Sequence, residues 1–259
     1  MIKQNFLKQK LVSGKIVLGT WMVTPSVILA DIVSGSGLDF VIIDSEHGPI
    51  NFETAQSMII ASENNGVSSV IRVSGVNEAE ILKALDIGAH CVQIPNVSSL
   101  EMAQEAVAYS KYPPFGKRGF SPFNRAGQYS LKQVNILTKD ANENSMVAIH
   151  VESADALDKI DEVLSVDKID IIFLGLYDIS KSLGIPGEIN NPKVSKMMQA
   201  AIKKICNAGK YCGTIATDFD QLKKIIDDGV QYITFSADCE VLKNSFEQIV
   251  DNFKKITAN

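Results

Sequence analysis

Cysteine is scarce. The four present, Cys91, Cys206, Cys212 and Cys239, show no CxxC pair and no metal-ligand spacing. A zinc ribbon and a disulfide framework are therefore excluded, and the thiols read as reduced core or near-core residues of a cytoplasmic protein. Long apolar runs are missing too. The basic opening MIKQNFLKQKLVSG is not followed by one, which argues against a signal peptide or a membrane span. Excess positive charge is absent: 25 Lys and Arg face 30 Asp and Glu, a net charge of −5. That balance speaks against nucleic acid or an anionic membrane as partner. Neither nucleotide fingerprint occurs, since Gly35 and Gly37 precede a strand instead of following one and FGKRG is not a P-loop. Low-complexity stretches are lacking.

What is there is alternation. The 259 residues are 46% hydrophobic, enough for one continuous core. After a short amphipathic helix at 2–12, apolar strands at 16–23, 39–44, 68–74, 90–96, 145–153, 169–175, 211–217 and 231–237 are each followed by a helical pattern. Those helices fall near 25–34, 53–64, 77–88, 98–109, 154–164, 178–183 with 194–208, 218–227 and 240–256, with one more at 131–142. The segments GLDFVIID, GAHCVQIP and GVQYITFS form a weak repeat in which a glycine ends a helix just before a strand. Eight strand–helix units predict a parallel (β/α)8 TIM barrel in a single domain, 1–259, more than an open doubly wound sheet. The segment 111–130 breaks the period. Rich in Pro, Gly, aromatic and basic residues, it reads as a functional loop.

In such a barrel the carboxyl ends of all strands share one face. DFVIIDSEHGP (39–49) brings Asp44, Glu46 and His47 there. Arg72, Gln93, Asn96, His150, Glu152 and Asp178 end other strands. Asp44 beside His47 predicts an oriented general base; the pair also reads as loop and cap residues. Glu152 and Asp178, closing adjacent strands, suit Mg²⁺ or Mn²⁺ with room for water, or else an ion pair with Arg72 or a loop arginine and a helix cap. Arg72 offers a bidentate fork to a substrate carboxylate or to an internal acid. Together these groups point to an enolate held on a cation.

The blocks DFVIIDSEHGP, VIRV, YPPFGKRGF and VESADALDKIDEVLSVDKIDIIFLGLYDIS, with the Gly-Pro loop after them, resemble the HpcH/HpaI family of metal-dependent pyruvate aldolases. The resemblance covers nearly the whole chain and implies a barrel of the phosphoenolpyruvate/pyruvate type. It implies a divalent metal (Mg²⁺, Mn²⁺ or Co²⁺) on Glu152 and Asp178, the keto-acid carboxylate on Arg72, a loop beginning at Gly175, and a His47–Asp44 proton relay with Glu46 beside it. It further implies a swapped-helix homo-oligomer, a hexamer built as a trimer of dimers, in which Arg118 and Arg125 of the 111–130 loop help close a neighbour's site. The chain departs from the family pattern at His150, where a glutamine is usual, and at Leu176 and Tyr177. His150 is expected to add a ligand or tilt the keto acid, and Tyr177 to narrow the acceptor pocket. The implied reaction joins or cleaves pyruvate and an aldehyde within a 4-hydroxy-2-keto acid. Condensation of an acetyl-CoA enolate with oxaloacetate, and a non-catalytic keto-acid-binding barrel, are the alternatives.

Overall fold

The structure, a computed structural model, describes residues 4–130 and 134–258. Eight parallel strands close into a barrel in sequence order. After helix α1 (Phe6–Val12) come β1 (Val17–Met22), α2 (Val27–Ser34), β2 (Phe40–Asp44), α3 (Phe52–Asn64), β3 (Ser68–Arg72), α4 (Glu78–Asp86), β4 (Cys91–Ile94) and α5 (Leu100–Ser110). The irregular segment 111–130 leads to α6 (Val134–Asn144), β5 (Met146–Val151), α7 (Ala154–Asp158), α8 (Ile160–Leu164), β6 (Ile171–Leu174) and α9 (Leu176–Ser182). The chain continues through α10 (Pro192–Asn207), β7 (Tyr211–Ala216), α11 (Phe219–Asp227), β8 (Tyr232–Ala237) and α12 (Asp238–Thr257). The predicted elements are all present, with three adjustments. The 2–12 helix begins only at Phe6, capped by Asn5, and its predicted residues 2 and 3 lie outside the described residues. The 154–164 helix breaks at Lys159 into α7 and α8, and the predicted start of the 131–142 helix lies outside the described residues.

Side-chain alternation builds two cores. Phe40, Ile42, Val70, Cys91, Met146, Ala148, Ile171, Phe173 and Tyr232 fill the barrel, while Val41, Ile43, Ile71, Val92, Val147 and Ile149 pack outward on the helices. Successive strand residues face opposite sides, so two residues beyond an inward apolar side chain the next one is again inward. At the carboxyl ends that rule turns Asp44, Arg72, Gln93 and His150 toward the axis. The register sets Asp44 opposite Arg72, and Arg72 opposite Gln93. The other mouth is plugged. Leu7 and Leu11 of α1 join the interior cluster, and Asn5 donates to the carbonyls of His90 and Asn144 at 2.9 and 2.7 Å.

Side-chain caps hold the helix starts. Ser26, Asn51, Asn77, Ser99 and Asp218 each accept an amide from the first turn of their helix. Gly88, at φ +98°, ends the α4 segment in a conformation that disfavours a side chain. Cys91 and Cys212 are buried and Cys206 half-buried, but Cys239 is exposed, which corrects its expected place near the core. It sits on α12, a helix whose sole buried residue is Asp238. Among the described residues no helix is long and apolar enough to cross a membrane.

Candidate active site

A cavity of about 300 Å³ opens at the carboxyl ends of the strands. Asp44, His47, Arg72, His150, Glu152 and Asp178 supply its polar lining; Trp21, Val23, Phe173, Leu176, Tyr177, Ile215 and Ala237 supply the apolar wall. Sequence-expected residues from the ends of four strands, β2, β3, β5 and β6, thus meet in one place.

Arg72 is held on three sides. Its Nε and Nη2 donate to the two carboxylate oxygens of Asp44 at 2.9 and 2.5 Å, Nη1 reaches Glu46 at 3.2 Å, and the guanidinium lies 4.3 Å from the centre of the Trp21 ring. Asp44 is only 1% exposed. It also accepts the backbone amides of Glu46 and His47 at 3.1 and 3.2 Å. The expected Asp44–His47 pairing is therefore replaced in this structure. The carboxylate receives the His47 amide and not its ring, because the planar arginine fork opposite in the sheet matches both oxygens. His47 itself is exposed at the rim. Glu46 is half-buried, and burial raises its carboxyl above the usual value, partly offset by Arg72 and His47.

Across the cavity, Glu152 sits at the end of β5, 8% exposed. Burial alone pushes its carboxyl up. The bond from His150, the Asn96 amide and the Arg72 charge together outweigh burial, and the group is held below its ordinary value. Its Oε1 accepts Asn96 N–H at 2.9 Å and its Oε2 faces His150 Nδ1 at 3.0 Å. His150 Nε2 lies 2.6 Å from Gln93 Nε2, and Gln93 Oε1 accepts the Tyr232 hydroxyl at 3.0 Å. Both ring nitrogens are thereby used inside the protein. His150, expected to add a ligand or tilt the keto acid, instead has both ring nitrogens engaged by Gln93 and Glu152 in this structure. Tyr232 was not visible as a site residue in sequence, although the lone polar Gln93 in the apolar strand CVQI was a signal that something polar lies inside.

Asp178 is in the first turn of α9, with a side chain 47% exposed and Lys181 at 3.4 Å. It lines the same cavity as Glu152. Two carboxylate donors with one side open to water form a hard-oxygen set of the kind Mg²⁺ or Mn²⁺ accepts. Among the described residues no group of three or more His, Cys, Asp or Glu side chains gathers to hold a metal alone, so any ion here would complete its shell with water or substrate.

Gly175 precedes α9 where a side chain has no room: a Cβ there would lie 2.5 Å from Glu152 Oε2 and 2.9 Å from Glu152 Cβ. Gly175→Ala is expected to push Glu152 aside and lower turnover on the order of 10²-fold, the scale of a misplacement near 1 Å. Turnover and melting temperature measured together check this, since the fold itself should persist. Tyr177 is 51% exposed at the mouth, where burial and the Glu240 charge raise its phenol.

Arg118 and Arg125, expected to close a neighbour's site, are each paired within their own chain. Arg118, 5% exposed, pairs with Asp86 at 2.6 Å and stacks on Tyr112. Arg125 pairs with the buried Glu63. Neither lines this cavity; both fasten the 111–130 segment to α3 and α4, because each guanidinium finds a buried or half-buried acid on its own chain. At the cavity's far edge, Asp238 accepts the Val23 and Thr24 amides at 3.1 Å each and fixes the loop after β1.

The sequence profile of the HpcH/HpaI aldolase/citrate lyase family matches residues 18–245. A 2-keto-3-deoxy-L-rhamnonate aldolase of Klebsiella pneumoniae is 32% identical over 255 residues, spanning 98% of this chain and 95% of that protein. The crystal structure of a HpcH/HpaI aldolase/citrate lyase family protein from Burkholderia cenocepacia superposes with a TM-score of 0.91 at 28% identity, over 96% and 99% of the two chains. The citrate synthase SbnG superposes with a TM-score of 0.90 at 28% identity, over 99% and 100%.

Proposed function

Because this chain belongs to the HpcH/HpaI aldolase/citrate lyase family, we propose that its carbon–carbon lyase chemistry acts on a 4-hydroxy-2-keto acid, releasing or consuming pyruvate and an aldehyde. The observation that carries the reading is the shared cavity, which is lined by two carboxylates, Glu152 and Asp178, together with Arg72, its partner Asp44 and His47.

Glu152 and Asp178 are the residues that would hold a divalent cation. Such an ion supplies Lewis acidity toward the keto oxygen and the enolate that cleavage generates. Arg72 receives the keto-acid carboxylate. Of its two acid partners Glu46 is the more loosely held, at 3.2 Å against 2.5 Å for Asp44. Burial also raises the Glu46 carboxyl above its ordinary value. An entering carboxylate displaces Glu46 from Nη1 while Asp44 keeps the fork aligned. His47, exposed at the rim, takes the proton of the 4-hydroxyl on cleavage and returns it on addition. Trp21, Phe173, Leu176 and Ile215 line the remaining wall and shield the reacting carbons from water. Tyr177 narrows the side on which the aldehyde enters.

Exchange of pyruvate methyl protons with deuterated water, followed by NMR with and without Mg²⁺, Mn²⁺ or Co²⁺, tests the reading before the aldehyde is known. Metal-dependent exchange is expected. Its absence, together with no pyruvate released from any 4-hydroxy-2-keto acid, would refute the proposal. The likeness to SbnG supports a second reading, citrate-type condensation. Coenzyme A release from acetyl-CoA and oxaloacetate that persists in chelator would favour it.

The C-terminal helix supports a homo-oligomer. α12 exposes Val241, Leu242, Phe246, Ile249, Phe253 and Ile256. An apolar groove of about 450 Å³, lined mainly by β1, α2, α11 and the base of α12, lies beside the barrel. Contiguous apolar surface of this kind marks an interaction site, and a chain carrying both halves closes by reciprocal exchange. A hexamer of three such dimers is the expected assembly. Phe246→Asp with Phe253→Asp is expected to shift sedimentation to the monomer while leaving far-ultraviolet circular dichroism unchanged.

A further inference from the structure

A column of polar groups crosses the apolar interior of the barrel from β8 to β5. Tyr232, Gln93 and His150 are buried to within 1% of full, and each must satisfy its hydrogen-bonding groups inside. Their positions leave little freedom. Tyr232 stacks on Phe40 at 4.2 Å and His150 on Phe173 at 4.7 Å, and Gln93 is held in β4 between β3 and β5.

Donors and acceptors then have to alternate. The Tyr232 hydroxyl donates to Gln93 Oε1, which turns the Gln93 amide nitrogen toward His150 Nε2 at 2.6 Å. A nitrogen facing an N–H donor must present its lone pair, so Nε2 accepts and the ring N–H is at Nδ1. Nδ1 lies 3.0 Å from Glu152 Oε2. Every bond in the column points toward Glu152, whose other oxygen is taken by the Asn96 amide.

We propose that the Tyr232–Gln93–His150 column is a positioning device that fixes the His150 tautomer and thereby holds Glu152 as an acceptor-only carboxylate, in one orientation, to receive a divalent cation. This rests on the reading of Glu152 as a metal-holding residue. The phenol is the group that tells the two ends of the Gln93 amide apart. Without it the amide turns over with little penalty and presents oxygen to His150 Nε2. The proton then moves to Nε2, and a bare Nδ1 lone pair faces the Glu152 carboxylate. Three residues that never touch the ion would thus set its affinity, as outer-shell partners do.

The test is Mn²⁺ binding, followed by the electron paramagnetic resonance of free Mn²⁺, in wild type, Tyr232→Phe, His150→Leu and the double variant, with melting curves alongside. Tyr232→Phe removes one oxygen and no ring packing, so it decides the matter by itself. It is expected to weaken Mn²⁺ about tenfold, and His150→Leu by about 10–100-fold. The double variant should bind no more weakly than His150→Leu alone, because both changes break one column. Wild-type affinity in a folded Tyr232→Phe, or losses that multiply in the double variant, would overturn the inference. A wild-type protein that binds no Mn²⁺ would instead remove the reading of Glu152 beneath it, and the inference with it.

Discussion

Glu152→Gln is expected to abolish metal-dependent exchange of pyruvate protons, by on the order of 10²–10³-fold or more, the loss that follows removal of one preorganised electrostatic group. The substitution keeps the shape of the side chain, so the effect is chemical. Both Glu152 oxygens accept, one from Asn96 N–H and one from His150 Nδ1–H. A glutamine has one oxygen. Whichever way its amide turns, an N–H₂ meets an N–H donor, and the side chain must leave its place. It also loses the charge that a divalent cation requires. Exchange rates by NMR and Mn²⁺ titration should fall together; an exchange rate near wild type would remove Glu152 from the mechanism.

Arg72→Met is expected to be the most destabilising single change, by about 3–5 kcal/mol, because it strands a buried carboxylate. Asp44 has no exposure to fall back on, at 1%, and keeps only the two backbone amides as donors. Adding Asp44→Asn should restore part of the stability, since the amide oxygen still accepts those amides and no charge remains. Urea denaturation of the single and double variants checks this. Strict additivity would show that the pair is not the unit the structure makes it. Activity should be lost in both, as neither retains a fork for the keto-acid carboxylate.

How much of this was legible in sequence follows from what each signal encodes. The alternation of apolar strands with helices specifies a barrel, and a barrel specifies which residues share a face; Asp44, Arg72, Glu152 and Asp178 therefore came together as expected. Partner choice within that face is not encoded in spacing. Asp44 and His47 are three residues apart and invite pairing, yet Asp44 lies directly across the sheet from Arg72, and a bidentate arginine in a buried register outcompetes an exposed imidazole. The Tyr232–Gln93 contact spans 139 residues and depends on two inward-facing positions meeting across the barrel axis, which periodicity cannot place. Arg118 and Arg125 were readable as basic loop residues, but their acids, Asp86 and Glu63, lie on helices whose packing against that loop only the fold defines.

Asp238 joins two matters otherwise separate. It is the first residue of the outward-reaching α12 and also the anchor for the amides that follow β1, one of which belongs to Val23 on the cavity wall. A chain truncated after Ala237 would consequently lose its rim along with the apolar face of α12, whereas one ending a few residues past Asp238 would shed that face and keep the rim tethered. Where a shortened or fused version of this protein is cut decides which of the two properties survives.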